Sequence, residues 1–258
     1  MISLDAIRDG LAAGEFFLEY LPTVTLADGR CAGAEALSRW RRSSGVLQPC
    51  EFIHLVEGTH LSGMLTYWVL ETVANELGDW LRVHEEAHIS VNVPPEILGR
   101  GGLEYVATKT GLSEIRNQII LEVTERGIPD NLGVATLEAA SRSGVRVALD
   151  DVTLTGIQLA VLSRCTLDVI KTDRSLVDQI TPECPCPAWL TGLSALLRST
   201  RVAVIAEGVE NEAQAQALRA AGVPMAQGHY FSPPISAEQL KVYHSRVDGQ
   251  TGRTKRWT

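Results

Sequence analysis

Six oxygen-donor side chains, Glu35, Asn92, Glu122, Asp150, Asp151 and Glu207, lie within or at the ends of short apolar segments. Glu35 stands inside Ala34-Glu35-Ala36-Leu37. Ser90-Val91-Asn92, Leu121-Glu122-Val123, Leu149-Asp150-Asp151 and Ile205-Ala206-Glu207 carry the others. Brought to one place, these groups would repel each other unless cations were bound or several stayed protonated. Divalent metal is the simpler resolution. A donor set of oxygens without thiolate or imidazole selects Mg²⁺ or Mn²⁺ over zinc or copper. The adjacent pair Asp150-Asp151 can serve two ions, and two ions about 3.5–4 Å apart clamp the attacking and leaving oxygens of a phosphoester displacement. Lys171 ends another apolar segment beside these carboxylates and is read as part of the same site, with neutralisation of nearby Asp173 as the plainer alternative. Any one of the six could merely cap a helix or pair on the surface. All six at strand ends is not a capping pattern.

Short β-rich segments that must position these residues recur at 16–26, 31–38, 88–93, 118–124, 145–150, 167–171, 202–206 and 225–230. Helical periodicity fills the gaps at 61–81, 102–110, 132–143, 157–163, 188–199 and 212–221. Strands such as Ile119-Ile120-Leu121 are apolar throughout, as strands covered on both faces must be. Eight alternating units in 258 residues predict an α/β fold, a TIM-like (β/α)₈ barrel whose reacting groups gather at the carboxyl ends of the strands. The first two strands are joined by Ala27-Asp28-Gly29-Arg30, a hairpin signal too short for a crossover helix, so the first strand is expected to be antiparallel. Period-two alternation puts Leu37 and Arg39 on the same face as Glu35. A doubly wound open sheet would bring a glycine-rich phosphate loop, and neither GxGxxG nor GxxxxGK[ST] is present.

Composition narrows the partners. The chain is 45% hydrophobic and 21% charged, with a net charge of −8, which argues against attraction to nucleic acid polymers or anionic lipid. No apolar run approaches the roughly 20 residues of a membrane span, and no basic-then-apolar leader opens the sequence. No membrane contact by this domain is expected. Five scattered cysteines fit a reducing compartment, so a cytoplasmic location is expected, either alone or as the cytoplasmic part of a larger sensor. The composition turns polar near the end, giving one domain over 1–245 and a tail over 246–258.

The segments Gly33-Ala-Glu35-Ala-Leu37-Ser-Arg39-Trp40, Ser90-Val-Asn92-Val-Pro94, Leu121-Glu122-Val-Thr-Glu125, Asp150-Asp151, Lys171-Thr-Asp173, Ala206-Glu207-Gly-Val-Glu210 and Gln227-Gly228 are each weak signals. In this order the chain resembles the EAL-domain phosphodiesterases that hydrolyse cyclic di-GMP, from about residue 16 to residue 240. The resemblance implies a barrel with an antiparallel first strand. It implies ligation of two Mg²⁺ or Mn²⁺ ions by Glu35, Asn92, Glu122, Asp150, Asp151 and Glu207, with Lys171 near the attacking water and Asp151 and Glu207 sharing in catalysis. Leu37, Arg39, Asp173 and Gln227 are the expected substrate contacts, Arg39 as a bidentate phosphate clamp. Glu125 and Glu210 are the expected loop supports.

Two departures bear on activity. The family's acidic pair opens a loop reading Asp-Asp-Phe-Gly-Thr-Gly-Tyr, whereas here Asp150-Asp151 is followed by Val152-Thr153-Leu154-Thr155-Gly156. Threonine resists the positive φ that glycine adopts freely. In the family this loop orders the second metal and joins a dimer contact, so low or regulated activity is expected, and a homodimer is an expected assembly. Leu21 also stands where the first strand usually carries glutamine. Hydrolysis of cyclic di-GMP to linear pGpG is the favoured reading. The alternative is a non-catalytic receptor of the dinucleotide or of a protein partner, although such receptors commonly lose ligand carboxylates and none is lost here.

His84-Glu85-Glu86-Ala87-His88 fits HExxH letter for letter. That motif needs both histidines on one helical face, and here they are expected to straddle a helix–strand junction. His54, His60, His229 and His244 are read as surface or packing residues, as Trp40, Trp68, Trp80 and Trp189 are read as packing residues.

Overall fold

The structure is a computed structural model that describes residues 2–124, 131–153 and 167–248. Its strands are β1 (Phe16–Thr25), β2 (Cys31–Arg42), β3 (Gly45–Leu47), β4 (His88–Asn92), β5 (Ile119–Thr124), β6 (Arg146–Val152), β7 (Val169–Thr172), β8 (Ala203–Ala206) and β9 (Met225–Ala226). The helices are α1 (Leu4–Ala12), α2 (Ile53–Val56), α3 (His60–Val83), α4 (Gly102–Thr110), α5 (Asn131–Ser143), α6 (Arg174–Val177), α7 (Ala188–Ser199), α8 (Glu212–Ala220) and α9 (Ala237–Asp248). β2, β4, β5, β6, β7, β8 and β9 pair in parallel in that order, and β1 closes the barrel by pairing antiparallel with both β2 and β9. The barrel is thus as the alternation of strands and helices predicted, and its reversed first strand as the hairpin predicted.

The differences have local causes. β9 stops at Ala226 rather than running to 230, because the chain turns at Gly228, where a Cβ would meet the Val209 carbonyl oxygen at 2.2 Å. Only glycine allows that approach. Gly33 plays the same part beside β4, where a Cβ would lie 2.1 Å from the His88 carbonyl oxygen. β2 runs on past residue 38 to Arg42 and turns back as β3. The sequence pattern omitted α1, a nine-residue helix, and α9, which is largely polar. Ser3 caps α1 by accepting from the Ala6 amide at 3.2 Å. The helix expected at 157–163, Glu125, and residues 154–156 of the altered loop lie outside the described residues.

Apolar side chains divide by strand parity. Leu121, Val123, Val147, Leu149, Ile170, Val204 and Ala206 point outward into the core shared with the surrounding helices. Ile120, Ala148, Val169 and Ile205 form a separate cluster inside the barrel. A third cluster gathers Ile7, Phe16, Trp40 and Phe52, with the Phe16 and Trp40 rings stacked 5.0 Å apart. Trp40 is fully buried, as its reading as a packing residue requires. Among the described residues, no helix is long and apolar enough to cross a membrane.

Candidate active site

On β5, β6, β7 and β8 the inward face carries an apolar residue first and a charged one two positions later. Ile120 is followed by Glu122, Ala148 by Asp150, Val169 by Lys171 and Ile205 by Glu207. The pleat therefore lifts the charged set one layer toward the carboxyl ends of the strands. There, the Lys171 ammonium lies 2.8 Å from Glu35 Oε2, 2.9 Å from Glu122 Oε2, 2.6 Å from Glu207 Oε1 and 3.4 Å from Asp150 Oδ1. Lys171 is 1% exposed. Asn92 extends the cluster by donating Nδ2–H to Glu35 Oε1 at 3.0 Å. Glu35 and Glu122 thus touch one common nitrogen.

Consecutive strand residues normally face opposite ways, so Asp151 should point away from Asp150. The pairing of β6 with β7 is irregular between Leu149 and Val152, and Asp151 takes φ +56°, the sole non-glycine in the left-handed region among the described residues. A bulge of this kind re-aims a side chain. Asp151 joins Asp150 and Glu207, one carboxylate oxygen of each lying within 4.8 Å of the others. Backbone strain of this type costs on the order of 1–3 kcal/mol and is tolerated best by Asn and Asp. Val152, expected to open the loop, instead ends β6 and is buried.

Charge balance in the mouth is unfavourable without further cations. Five carboxylates, Glu35, Glu122, Asp150, Asp151 and Glu207, face one lysine. Burial, and then repulsion from Glu35, Asp150 and Glu207, holds the Glu122 carboxyl well above the usual range, against the pull of Lys171. Burial likewise pushes Glu207 up to about 8; Lys171 opposes this shift, while Asp150 and Glu35 add to it. Burial disfavours the Lys171 ammonium, but the four surrounding carboxylates outweigh it and raise its pKa. Glu122 Oε1 is buried without a hydrogen-bond partner. An orphaned carboxylate oxygen in an all-oxygen cluster fits a hard divalent cation as the missing counter-charge.

The remaining expected residues sit around this centre in different states. Arg39 is buried and donates Nε–H to Glu19 Oε2 at 2.7 Å and an Nη1 hydrogen to the Ser38 carbonyl at 3.0 Å. Glu19 on β1 is a residue that sequence reasoning missed, because its partner lies across the hairpin. Leu37 is half-buried beside Glu19 in the β1–β2 register. Gln227 is buried and donates Nε2–H to the Leu21 carbonyl at 3.2 Å, while its Oε1 has no hydrogen-bond partner. Asp173 caps α6, accepting from the Ser175 amide at 2.8 Å. Glu210 pairs with Arg174 outside the charged cluster. His244, read as a surface or packing residue, is buried against His84 and Glu86 far from the mouth.

Comparison with known proteins agrees with this geometry. The sequence profile of the EAL domain matches residues 4–234. The chain is 31% identical over 243 residues to the probable cyclic di-GMP phosphodiesterase PdeB of Escherichia coli strain K12, covering 91% of this chain and 45% of that protein. It therefore spans less than half of that relative. Among solved structures it is similar to the PaMucR phosphodiesterase in complex with c-di-GMP, with a TM-score of 0.82 and 29% identity over 92% of this chain and 98% of that one. It is also similar to the EAL enzyme Bd1971 in its cAMP and cyclic-di-GMP bound form, with a TM-score of 0.83 and 26% identity over 93% of this chain and 67% of that one.

Proposed function

The chain belongs to the EAL domain family, and we propose that it hydrolyses one phosphodiester bond of cyclic di-GMP to give linear pGpG, using two Mg²⁺ or Mn²⁺ ions. The observation that carries this reading is the unbroken cluster of Glu35, Asn92, Glu122, Asp150, Asp151 and Glu207 around Lys171, which leaves Glu122 Oε1 buried and unsatisfied. Retaining so many mutually repelling carboxylates is costly unless cations are held there. The named relatives act on or bind the same dinucleotide.

Glu35, Asn92, Glu122 and Asp150 would hold the first ion; Asp150, Asp151 and Glu207 the second. When bound, the ions supply Lewis acidity that acidifies a water and neutralises the scissile phosphate. Glu207 holds a proton up to about pH 8 without cations; with cations bound it would release that proton to solvent, and the freed carboxylate would take one from the attacking water. Lys171 Nζ, relieved of part of its carboxylate load, orients that water. The P–O3′ bond breaks as the new P–O bond forms, the leaving O3′ takes a proton from solvent, and Glu207 returns its proton to solvent, so that one water is consumed per bond broken. Arg39 exchanges Glu19 for a phosphate oxygen, while Leu37 and Gln227 line the substrate and Asp173 holds the rim by capping α6. Residues 1–245 form the catalytic unit, acting in the cytoplasm, with a homodimer as the expected assembly. The receptor reading rests on one feature, the displaced glycines after Asp151.

Incubating the purified chain with cyclic di-GMP and Mn²⁺ or Mg²⁺, with and without excess chelator, and separating the products by chromatography tests the proposal. pGpG formation abolished by chelator is expected. Tight binding without product would establish the receptor, and undiminished turnover in chelator would overturn the metal mechanism.

A further inference from the structure

His84 and Glu86 come from a metal-ligand pattern that the mouth does not use. As a helical pair the pattern fails, since His84 caps the end of α3 and His88 is buried at the start of β4. The fold supplies another histidine instead. α9 packs against β1, β2 and α3, burying Ala237, Leu240 and His244 at i, i+3 and i+7. That stripe delivers the His244 imidazole to the α3–β4 turn, at the end of the barrel opposite the mouth. His244 Nε2 lies 3.3 Å from Glu86 Oε1, and His84 Nδ1 lies 3.5 Å from the same oxygen. One donor atom from each of the three residues lies within 4.8 Å of the others.

We propose that His84, Glu86 and His244 form a binding site for one zinc-class transition-metal ion, which ties the C-terminal helix α9 to the α3–β4 turn. A tetrahedral ion with bonds of about 2.0–2.1 Å spans donor–donor edges of roughly 3.3–3.5 Å, matching the two edges fixed here. Two imidazoles with one carboxylate favour zinc over the hard cations suited to the all-oxygen mouth. Both rings are preset by packing on the Trp80 indole, with centroids 5.0 and 5.1 Å away, and the rings lie 4.7 Å from each other. A simple ion pair with Glu86 needs one protonated imidazole, and two protonated rings this close would repel. Neutral histidines sharing a metal with the carboxylate avoid that repulsion. The Glu86 side chain is 57% exposed, which leaves the solvent side open for a water as fourth ligand.

The test uses the tag-free full chain, stripped with chelator and titrated with Zn²⁺ or Co²⁺ in saturating Mg²⁺, with visible absorption reporting cobalt geometry and elemental analysis reporting stoichiometry. Wild type and Asp151→Asn should each bind one ion with the intense bands of tetrahedral cobalt. His84→Ala, at a half-buried position, and Glu86→Gln, at an exposed one, should bind at least tenfold more weakly, and zinc should raise the melting temperature of wild type but of neither variant. If zinc affinity and the cobalt spectrum are unchanged in His84→Ala and Glu86→Gln, or if Asp151→Asn abolishes them, the three residues are an ion-paired aromatic cluster only. His244→Ala hollows the α9 interface, so Glu86→Gln, an isosteric change at an exposed position, is the decisive variant, with His84→Ala beside it.

Discussion

Two layers of the barrel interior are built on the same strands and the same faces, yet they obey opposite rules. The lower layer, Ile120, Ala148, Val169 and Ile205, is dry and apolar. The upper layer, two residues further along each strand, is Glu122, Asp150, Lys171 and Glu207, closed by Glu35 from β2. One pleat period separates ordinary core from a concentration of buried charge. The lower layer sets backbone positions through packing and leaves the upper layer free to carry groups that no stability argument would choose. The apolar layer packs without contributing any charged group, and the charged layer gathers its carboxylates on Lys171 above it.

The strongest way to break this division is to remove the single cation of the upper layer. Lys171→Met should abolish turnover and, in chelator, destabilise the fold by about 3–5 kcal/mol, because four carboxylates lose their shared partner. Added Mg²⁺ should restore much of that stability without restoring activity. Melting curves with and without Mg²⁺ measure both. Asp151→Ala should lower turnover by about a thousandfold or more through loss of the second ion, with little change in melting temperature.

The lower layer should respond in the opposite sense. Ile205→Val removes one methyl group from the dry cluster and should cost about 0.5–1.5 kcal/mol, with kcat per folded molecule nearly unchanged. Denaturant unfolding beside steady-state kinetics separates the two. A large fall in kcat would show that the layers are not independent.

The pH dependence sharpens the comparison further. Glu207 is raised in the folded chain to about 8, mainly by burial, so the folded state holds a proton that the unfolded chain releases near the ordinary carboxylate value. Its stabilising contribution is present in full below that ordinary value and is lost as pH rises through about 8. Cation-free protein should therefore become less stable from pH 5 to pH 8, and saturating Mg²⁺ should flatten the slope. The smallest effect belongs to the loop. Replacing residues 153–156 by Gly-Thr-Gly-Tyr should raise turnover several-fold while moving the melting temperature by about a degree or less, because the change acts on the placement of Asp151.

The barrel was legible in the sequence because strands covered on both faces are apolar throughout, and because Asp28-Gly29 forces a hairpin that no crossover could replace. The acidic mouth was legible for a related reason, as a charge that interrupts such a strand has little to do there except chemistry. Contacts between residues distant in sequence were not. Nothing local marks Glu19 as the partner of Arg39, and nothing in Asp150-Asp151 shows that a bulge turns both carboxylates the same way. α9 escaped because its buried stripe is Ala237, Leu240 and His244, and a histidine in the third position does not read as apolar.

The reversal of β1 has a mechanical side. Because β1 runs against its neighbours, Phe16 lies opposite Trp40 near the carboxyl end of β2, so α1 sits on the same end of the barrel as the reacting groups. Any polypeptide joined upstream of α1 would lead away from that end. A pull or twist applied there would travel down the β1–β2 ladder through Phe17↔Arg39 and Glu19↔Leu37, disturbing the Arg39–Glu19 pair before any load reached the dry layer beneath. The first strand would thus act as a lever whose short arm ends at the buried Arg39–Glu19 pair.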